Sequence, residues 1–296
     1  MVSGRDFLGP YRLIRLIRAG THTQVWEALK DGTRERLALK VLSREHIKNR
    51  EEISQLKHEA AVGVPLKHRN IVDIYEYNSE FELPFVAMEL FFSRNLKQDL
   101  REQSDRTAHL STEIIKQAAL ALEHLHLRGW VHCDVKPDNF LVKDDGTLKL
   151  IDFSIAMKLN KKVGGFFSKG KVKGTRSYMS PEQIRGKSLG ATADVYSLGC
   201  VVFEILGGRT PYTADNPNEL LQKHLNASIP TMAPLNPAIT PEVVDLVQRM
   251  MAKTAKDRPK DMRAFLKEFE NLRVYKTGMK PRPPSEIEDE DENAGQ

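Results

Sequence analysis

Short alternating runs fill the first third of the chain, and longer apolar stripes with three- and four-residue spacing fill the rest. Residues Tyr11 to Ala19, Gln24 to Lys30 and Glu35 to Leu42 read as three strands, with Asp31-Gly32 marking a hairpin turn between the second and third. A helix follows over Glu45 to Val62, where Ile53, Leu56 and Ala60 recur at i, i+3 and i+7. It stops at Gly63, with Pro65 close behind. Asp73 to Tyr77 and Pro84 to Glu89 complete a set of five strands. Beyond residue 93 the pattern turns helical. Asn95 to Glu102 is a short helix, and a longer one opens at Ser111-Thr112-Glu113 with Ile114, Ile115, Ala118, Leu122 and Leu125 on one stripe. Phe140-Leu141-Val142, the turn Asp144-Asp145-Gly146 and Leu148 to Ile151 form a small hairpin. Val195 to Leu206 is apolar enough for a buried helix, though Glu204 interrupts it. Thr240-Pro241-Glu242 opens a helix whose apolar face is Val243, Val244, Leu246, Val247 and Met250. Met262 to Glu270 is the last helix. The pattern predicts an α+β protein: a small five-stranded β part with one main helix, then a larger, mostly helical part.

Composition adds limits. A chain of 296 residues holds one large domain or two lobes. The opening MVSGRDFLGPYRL lacks the apolar core of a signal peptide. No uncharged apolar run reaches the roughly 18 residues of a membrane span. Two cysteines, Cys133 and Cys200, lie in predicted core elements, which fits a reducing compartment, and a cytoplasmic location is expected. The formal charge of +5 comes without a basic stripe interleaved with aromatics, so no nucleic-acid partner is expected. Glu286 to Glu292 holds six acidic residues and reads as part of a solvated tail.

The chemistry concentrates between Trp130 and Ser154. This stretch contains Asp134, Lys136 and Asn139, then Asp152 after the small hairpin. A lone Asp or Asn is usually a surface turn, but a hairpin here carries Asn139 and Asp152 to its two open ends. Both offer oxygen, which suits a hard cation such as Mg²⁺. His132-Cys133-Asp134-Val135-Lys136-Pro137-Asp138-Asn139 followed by Asp152-Phe153-Ser154 resembles the eukaryotic-type protein kinase family, patterned H-R-D-x-K-x-x-N and then D-F-G. Cys133 stands in place of the arginine, and Ser154 in place of the last glycine. Gly174-Thr175-Arg176-Ser177-Tyr178-Met179-Ser180-Pro181-Glu182 is similar to the G-T-x-x-Y-M-x-P-E of Ser/Thr kinases, in the flavour of the PknB-like bacterial enzymes.

The resemblance spans residues 11–273 and implies a bilobal kinase domain. Its N-lobe would be 11–89, its C-lobe 90–273 and its activation segment 152–182, with an extension at 1–10 and a disordered tail at 274–296. It implies that Asp134 receives or orients the substrate hydroxyl proton, that Lys136 sits near the transferred phosphoryl group, and that Asn139 and Asp152 hold metal. Lys40, in Ala38-Leu39-Lys40, would reach the α and β phosphates, held by an ion pair to Glu59. Val25, Ala38 and Leu141 would sandwich adenine, Met88 would limit the pocket, and Glu89 and Leu90 would offer backbone groups. Glu182 would pair with Arg258, and Asp194 would brace the catalytic loop. Implied cofactors are ATP with Mg²⁺ or Mn²⁺. The implied partner is a protein carrying a Ser or Thr hydroxyl, acidic if the basic run from Lys158 to Arg176 guides it, and autophosphorylation falls within the same chemistry.

Three departures support a different class, an inactive pseudokinase serving as a binding scaffold. In Arg18-Ala19-Gly20-Thr21-His22-Thr23-Gln24-Val25 only Gly20 remains of three phosphate-loop glycines, and Thr23 is expected to stiffen or lift the tip. Ser154 is the second departure. Gly63 is the third: it replaces a large apolar residue one turn past Glu59, so a loosely docked helix is expected. A small-molecule kinase is disfavoured by the Tyr178-to-Glu182 segment, which resembles a platform for a peptide chain.

Overall fold

The computed structural model describes residues 7–102, 105–159 and 176–277. The expectations for the part of the basic run at 160–175 and for the tail from 278 lie outside them. The chain divides into two compact units, a small β-rich one and a larger helical one. The smaller holds the chain up to Phe92 together with Ile151–Ala156, and the larger holds the remainder.

The smaller unit is an antiparallel sheet of β1 (Phe7–Leu8), β2 (Tyr11–Ala19), β3 (Thr23–Lys30), β4 (Arg36–Leu42), β5 (Ile74–Asn78) and β6 (Phe85–Glu89), in the order β1-β2-β3-β4-β6-β5. The five expected strands are present, and Phe7–Leu8 adds a short sixth at the edge. Alternation divides β4 between two layers. Leu37, Leu39 and Val41 join Leu8, Tyr11, Ala28, Phe85 and Ala87 in one core cluster. Ala38, Lys40 and Leu42 belong to the other face. That face receives α1 (Arg50–Gly63) through Leu56, Ala60 and Glu59, all buried.

Helix α1 starts later than the apolar spacing suggests. Arg44–His46 is a separate 3₁₀ turn, and Asn49 caps α1 by accepting from the amides of Glu51 and Glu52. The helix ends at Gly63 as expected, but the loose docking expected there is overturned. A Cβ on Gly63 would lie 2.3 Å from Ile74 Cδ1 and 3.3 Å from Phe153 Cδ2, so neighbouring side chains already fill the space. Gly63→Leu should therefore destabilise the protein by about 1–3 kcal/mol, the usual cost of overpacking a tight core. Chemical denaturation would show it, and a stabilised variant would mean that a hole exists after all.

The larger unit is built on the helix Ala191–Gly207, the fifth in chain order and labelled α5. β7 (Arg94–Asn95) leads into α2 (Leu96–Arg101), capped by a reciprocal box between Asn95 and Gln98. Next come α3 (Asp105–Leu127), β8 (Trp130–Val131), the hairpin β9 (Phe140–Val142) and β10 (Leu148–Leu150), and β11 (Met157–Lys158). Then follow α4 (Pro181–Ile184), α5, α6 (Pro217–Asn226), α7 (Pro241–Met250) and α8 (Met262–Phe269). Helix α5 is buried from Ala193 to Gly207, as an all-round apolar sequence requires. It packs against α3 and α7, and α3 packs in turn on α8.

Two boundaries differ from the sequence pattern. Helix α3 starts at Asp105, so Ser111 is not its cap. The Ser111 hydroxyl instead donates to the Ala108 carbonyl at 2.8 Å and meets the Tyr275 hydroxyl at 2.7 Å. The second contact draws in a segment beyond residue 273. Val274 is buried, its carbonyl accepts from the Thr240 amide, and Tyr275 bridges to Ile239. Both cysteines are free and buried. Among the described residues, no helix is long and apolar enough to cross a membrane.

Candidate active site

The predicted site residues divide between the units. The smaller one carries Gly20, Val25, Ala38, Lys40, Glu59, Met88, Glu89, Leu90 and Asp152. The larger carries Asp134, Lys136, Asn139 and Leu141.

In the smaller unit, β-sheet register sets Val25 opposite Lys40 and Ala38 opposite Met88. Lys40 extends from β4 to α1, where its Nζ lies 2.7 Å from Glu59 Oε2 and 3.3 Å from Asp152 Oδ1. Burial disfavours the charge on Lys40, but Asp152 and Glu59 outweigh it and raise the ammonium above its ordinary range. Burial raises Glu59, Lys40 opposes this and Asp152 adds to it, leaving the carboxyl at about 7.

Asp152 has φ +67°, an uncommon conformation for a residue with a side chain. Its Oδ1 accepts from the Ser154 amide at 3.3 Å, closing a small turn around the fully buried Phe153. Ser154 thus occupies the turn with its backbone engaged. His58, which sequence reasoning passed over, ties α1 to this segment: its Nε2 is 2.8 Å from the Ala156 carbonyl. Only its place beside Glu59 hinted at this.

At Glu89, the amide donates to the Asp73 carbonyl at 2.8 Å, and the carboxylate accepts from the Asp73 amide at 3.2 Å. With that amide engaged, the backbone group Glu89 could offer adenine is its carbonyl. At the β2–β3 turn, the Gly20 amide donates to the Thr23 carbonyl at 2.8 Å, leaving Thr21 and His22 at the tip.

In the larger unit, the loop before β9 folds around one carboxylate. Asp134 Oδ2 accepts from Lys136 Nζ at 2.7 Å and from Asn139 Nδ2 at 3.1 Å. Asn139 Nδ2 also donates to the Asp134 carbonyl at 2.8 Å. Two residues on, Leu141 pairs with Lys149 in the hairpin. Buried Asp194 holds the loop from below: Oδ2 accepts from the His132 amide at 2.8 Å and Oδ1 from the Cys133 amide at 3.0 Å. His126 Nε2 lies 2.8 Å from the same carboxylate. Cys133 has φ +67°. Its thiol donates to the Val131 carbonyl at 3.4 Å, and burial pushes it well above the ordinary thiol range. It is structural here rather than a nucleophile. Gln183, another residue without a sequence signal, donates from Nε2 to the Cys133 carbonyl at 2.8 Å.

Beside this loop, Arg258 grips Glu182 with two bonds of 2.7 and 2.9 Å. Glu204, the interruption in the apolar helix, is accounted for by partners. It accepts from the Tyr178 hydroxyl and from Lys97 Nζ, both at 2.5 Å.

The model for the protein kinase domain matches residues 11–269. The chain belongs to the protein kinase family. It is 31% identical over 288 residues to the serine/threonine-protein kinase PknA of Mycobacterium tuberculosis, covering 96% of this chain and 65% of that protein. PrkC of Bacillus subtilis, also a serine/threonine-protein kinase, is 30% identical over 270 residues, covering 90% and 41%. PknL of M. tuberculosis is 30% identical over 256 residues, covering 86% and 64%. The chain therefore spans less than two thirds of the length of these relatives.

Kinases of this family use ATP and Mg²⁺. Among the described residues, no three His, Cys, Asp or Glu side chains group as a metal centre. That is compatible with Mg²⁺, which takes one or two protein groups and otherwise keeps waters and phosphate oxygens. The donors present suit it. Asp152 is a carboxylate, and Asn139 commits its NH₂ to Asp134, which leaves the amide oxygen for a hard cation.

Proposed function

We propose that this protein is a serine/threonine protein kinase, transferring the γ-phosphoryl group of ATP to a Ser or Thr hydroxyl of a protein. The observation that carries this reading is the Lys40 ammonium, 15% exposed, held between buried Glu59 and partly exposed Asp152. Placing a lysine against two carboxylates in so sheltered a position is costly for a merely structural role, because an apolar residue would fill the same volume with less desolvation. It suits a cation kept charged for phosphates, with Asp152 left anionic for metal.

In this reading the substrate hydroxyl gives its proton to Asp134 as its oxygen bonds to the γ-phosphorus. The bond from that phosphorus to the bridging oxygen breaks, and ADP leaves. Lys136, already on Asp134, supplies positive charge beside the transferred group. Asn139 and Asp152 would hold Mg²⁺ or Mn²⁺, which neutralises charge on the phosphates. Gly20, Val25, Ala38, Met88, Glu89, Leu90 and Leu141 would bind the nucleotide.

The test is transfer of label from γ-labelled ATP by purified protein, to itself and to a generic acceptor, beside an Asp134→Asn control. Label that vanishes in the control supports the kinase. No label with Mg²⁺ or Mn²⁺ favours the pseudokinase reading, for which the altered β2–β3 turn is the specific observation. Asp152→Asn gives a separate check. It should weaken Mg²⁺-dependent nucleotide binding at least about tenfold, on the scale of a lost charge-assisted contact. Equal affinity in a Mg²⁺ titration would remove Asp152 from the metal role.

A further inference from the structure

The altered phosphate turn is fastened rather than loose. The β3–β4 ladder runs past its last strand pair, Thr23 opposite Leu42, to a bond of 2.9 Å from the Ser43 amide to the His22 carbonyl. The His22 ring then turns toward α1. Its Nδ1 lies 3.3 Å from Glu52 Oε1. It packs edge-to-face with the ring of His46, in the 3₁₀ turn before α1, with ring centroids 4.6 Å apart. Glu52 is only 13% exposed at its side chain although it sits in the first turn of α1.

Glu52 and Glu59 are seven residues apart, so they lie on one stripe of the helix about 10 Å apart along its axis. That stripe thus meets two cations or donors delivered by adjoining parts of the sheet. Lys40 comes from β4 to Glu59, and His22 comes from the β2–β3 turn to Glu52. A helix attached at two points along one face resists rolling, whereas attachment at Glu59 alone would leave its N-terminal end free to swing.

We propose that His22 is a positioning residue that fastens the β2–β3 turn to α1, so that the phosphate-covering turn and the helix carrying Glu59 hold one arrangement before nucleotide arrives. This offers a reason why the chain dispenses with two of the three glycines. A turn that adapts to phosphates by backbone freedom needs glycine. A turn set in place by a side-chain tether does not. The role in nucleotide binding rests on the kinase reading, while the tether itself does not.

Amide hydrogen exchange on the full chain without nucleotide tests the tether. His22→Ala and Glu52→Gln should each speed exchange in peptides covering residues 20–26 and 50–56 about fivefold, a modest effect in keeping with a half-exposed contact. The double variant should go no further than either single, because both remove one interaction. His22→Gln, which keeps a donor, should recover part of the protection. Unchanged exchange, or effects that simply add, would overturn the tether. With active enzyme, both singles should raise KM for ATP about fivefold and leave kcat within twofold, since a preset turn acts on binding. A kcat loss with KM unchanged would overturn the positioning role. If wild-type protein neither binds nor uses ATP, the kinase reading fails, and the exchange pattern still decides the tether.

Discussion

Asp134→Asn should reduce phosphoryl transfer by about 10²–10⁴-fold, the range of a positioned acid–base group, and leave nucleotide affinity unchanged. The substitution keeps size and shape, and Asn139 has its own bond to the Asp134 carbonyl, so the loop should stay folded. The carboxylate itself is lost. In the wild type it holds Lys136 Nζ at 2.7 Å and Asn139 Nδ2 at 3.1 Å on the same oxygen. An amide there accepts more weakly and cannot take up a proton from a hydroxyl. Buried Asp194 fixes the backbone of His132 and Cys133 from the opposite side, so Asp134 is preset rather than assembled on binding. Single-turnover transfer with saturating ATP measures the effect. Activity within a few-fold of wild type would take Asp134 out of the chemistry, and lost nucleotide affinity would show that it acts on binding instead.

Local rules made the strands legible in the sequence, and strand alternation placed β2 to β6 within a few residues. The contacts of Lys40 with Glu59 and of Glu182 with Arg258 follow no local rule and were implied by the family resemblance alone. What escaped was decided by distant packing. Ser111 has the letters of a helix cap, yet Tyr275, far along the chain, engages its hydroxyl inside α3. Gly63 suggests a missing side chain, but Ile74 and Phe153 occupy the volume. His58 and Gln183 bond to carbonyls of Ala156 and Cys133, and a backbone acceptor leaves no letter to pair with. His22 and Glu52 are ordinary polar residues in any linear pattern. Only the sheet register beside α1 gives their contact meaning.

Arg258→Ala should lower stability by about 3–5 kcal/mol, because it leaves the carboxylate of Glu182 buried without its counter-charge. The Arg258 side chain is fully buried, and Glu182 is nearly so at 11% exposure. Beyond its two bonds to Glu182, the guanidinium donates to the carbonyls of Ala252 and Thr192, each at 2.7 Å. It also stacks 4.8 Å over the ring of Tyr196. It therefore joins α4, the start of α5 and the segment after α7 at one point. Arg258→Lys should also destabilise strongly, since an ammonium cannot reproduce a fork that reaches a carboxylate and two carbonyls together. Glu182→Leu with Arg258→Met separates charge from packing. If the unpaired charge dominates, the double variant should cost less than the two singles summed. Urea denaturation with unchanged slope reads each value as a midpoint shift. Singles that simply add would place the contribution in the carbonyl contacts and the stack on Tyr196, with the carboxylate a bystander.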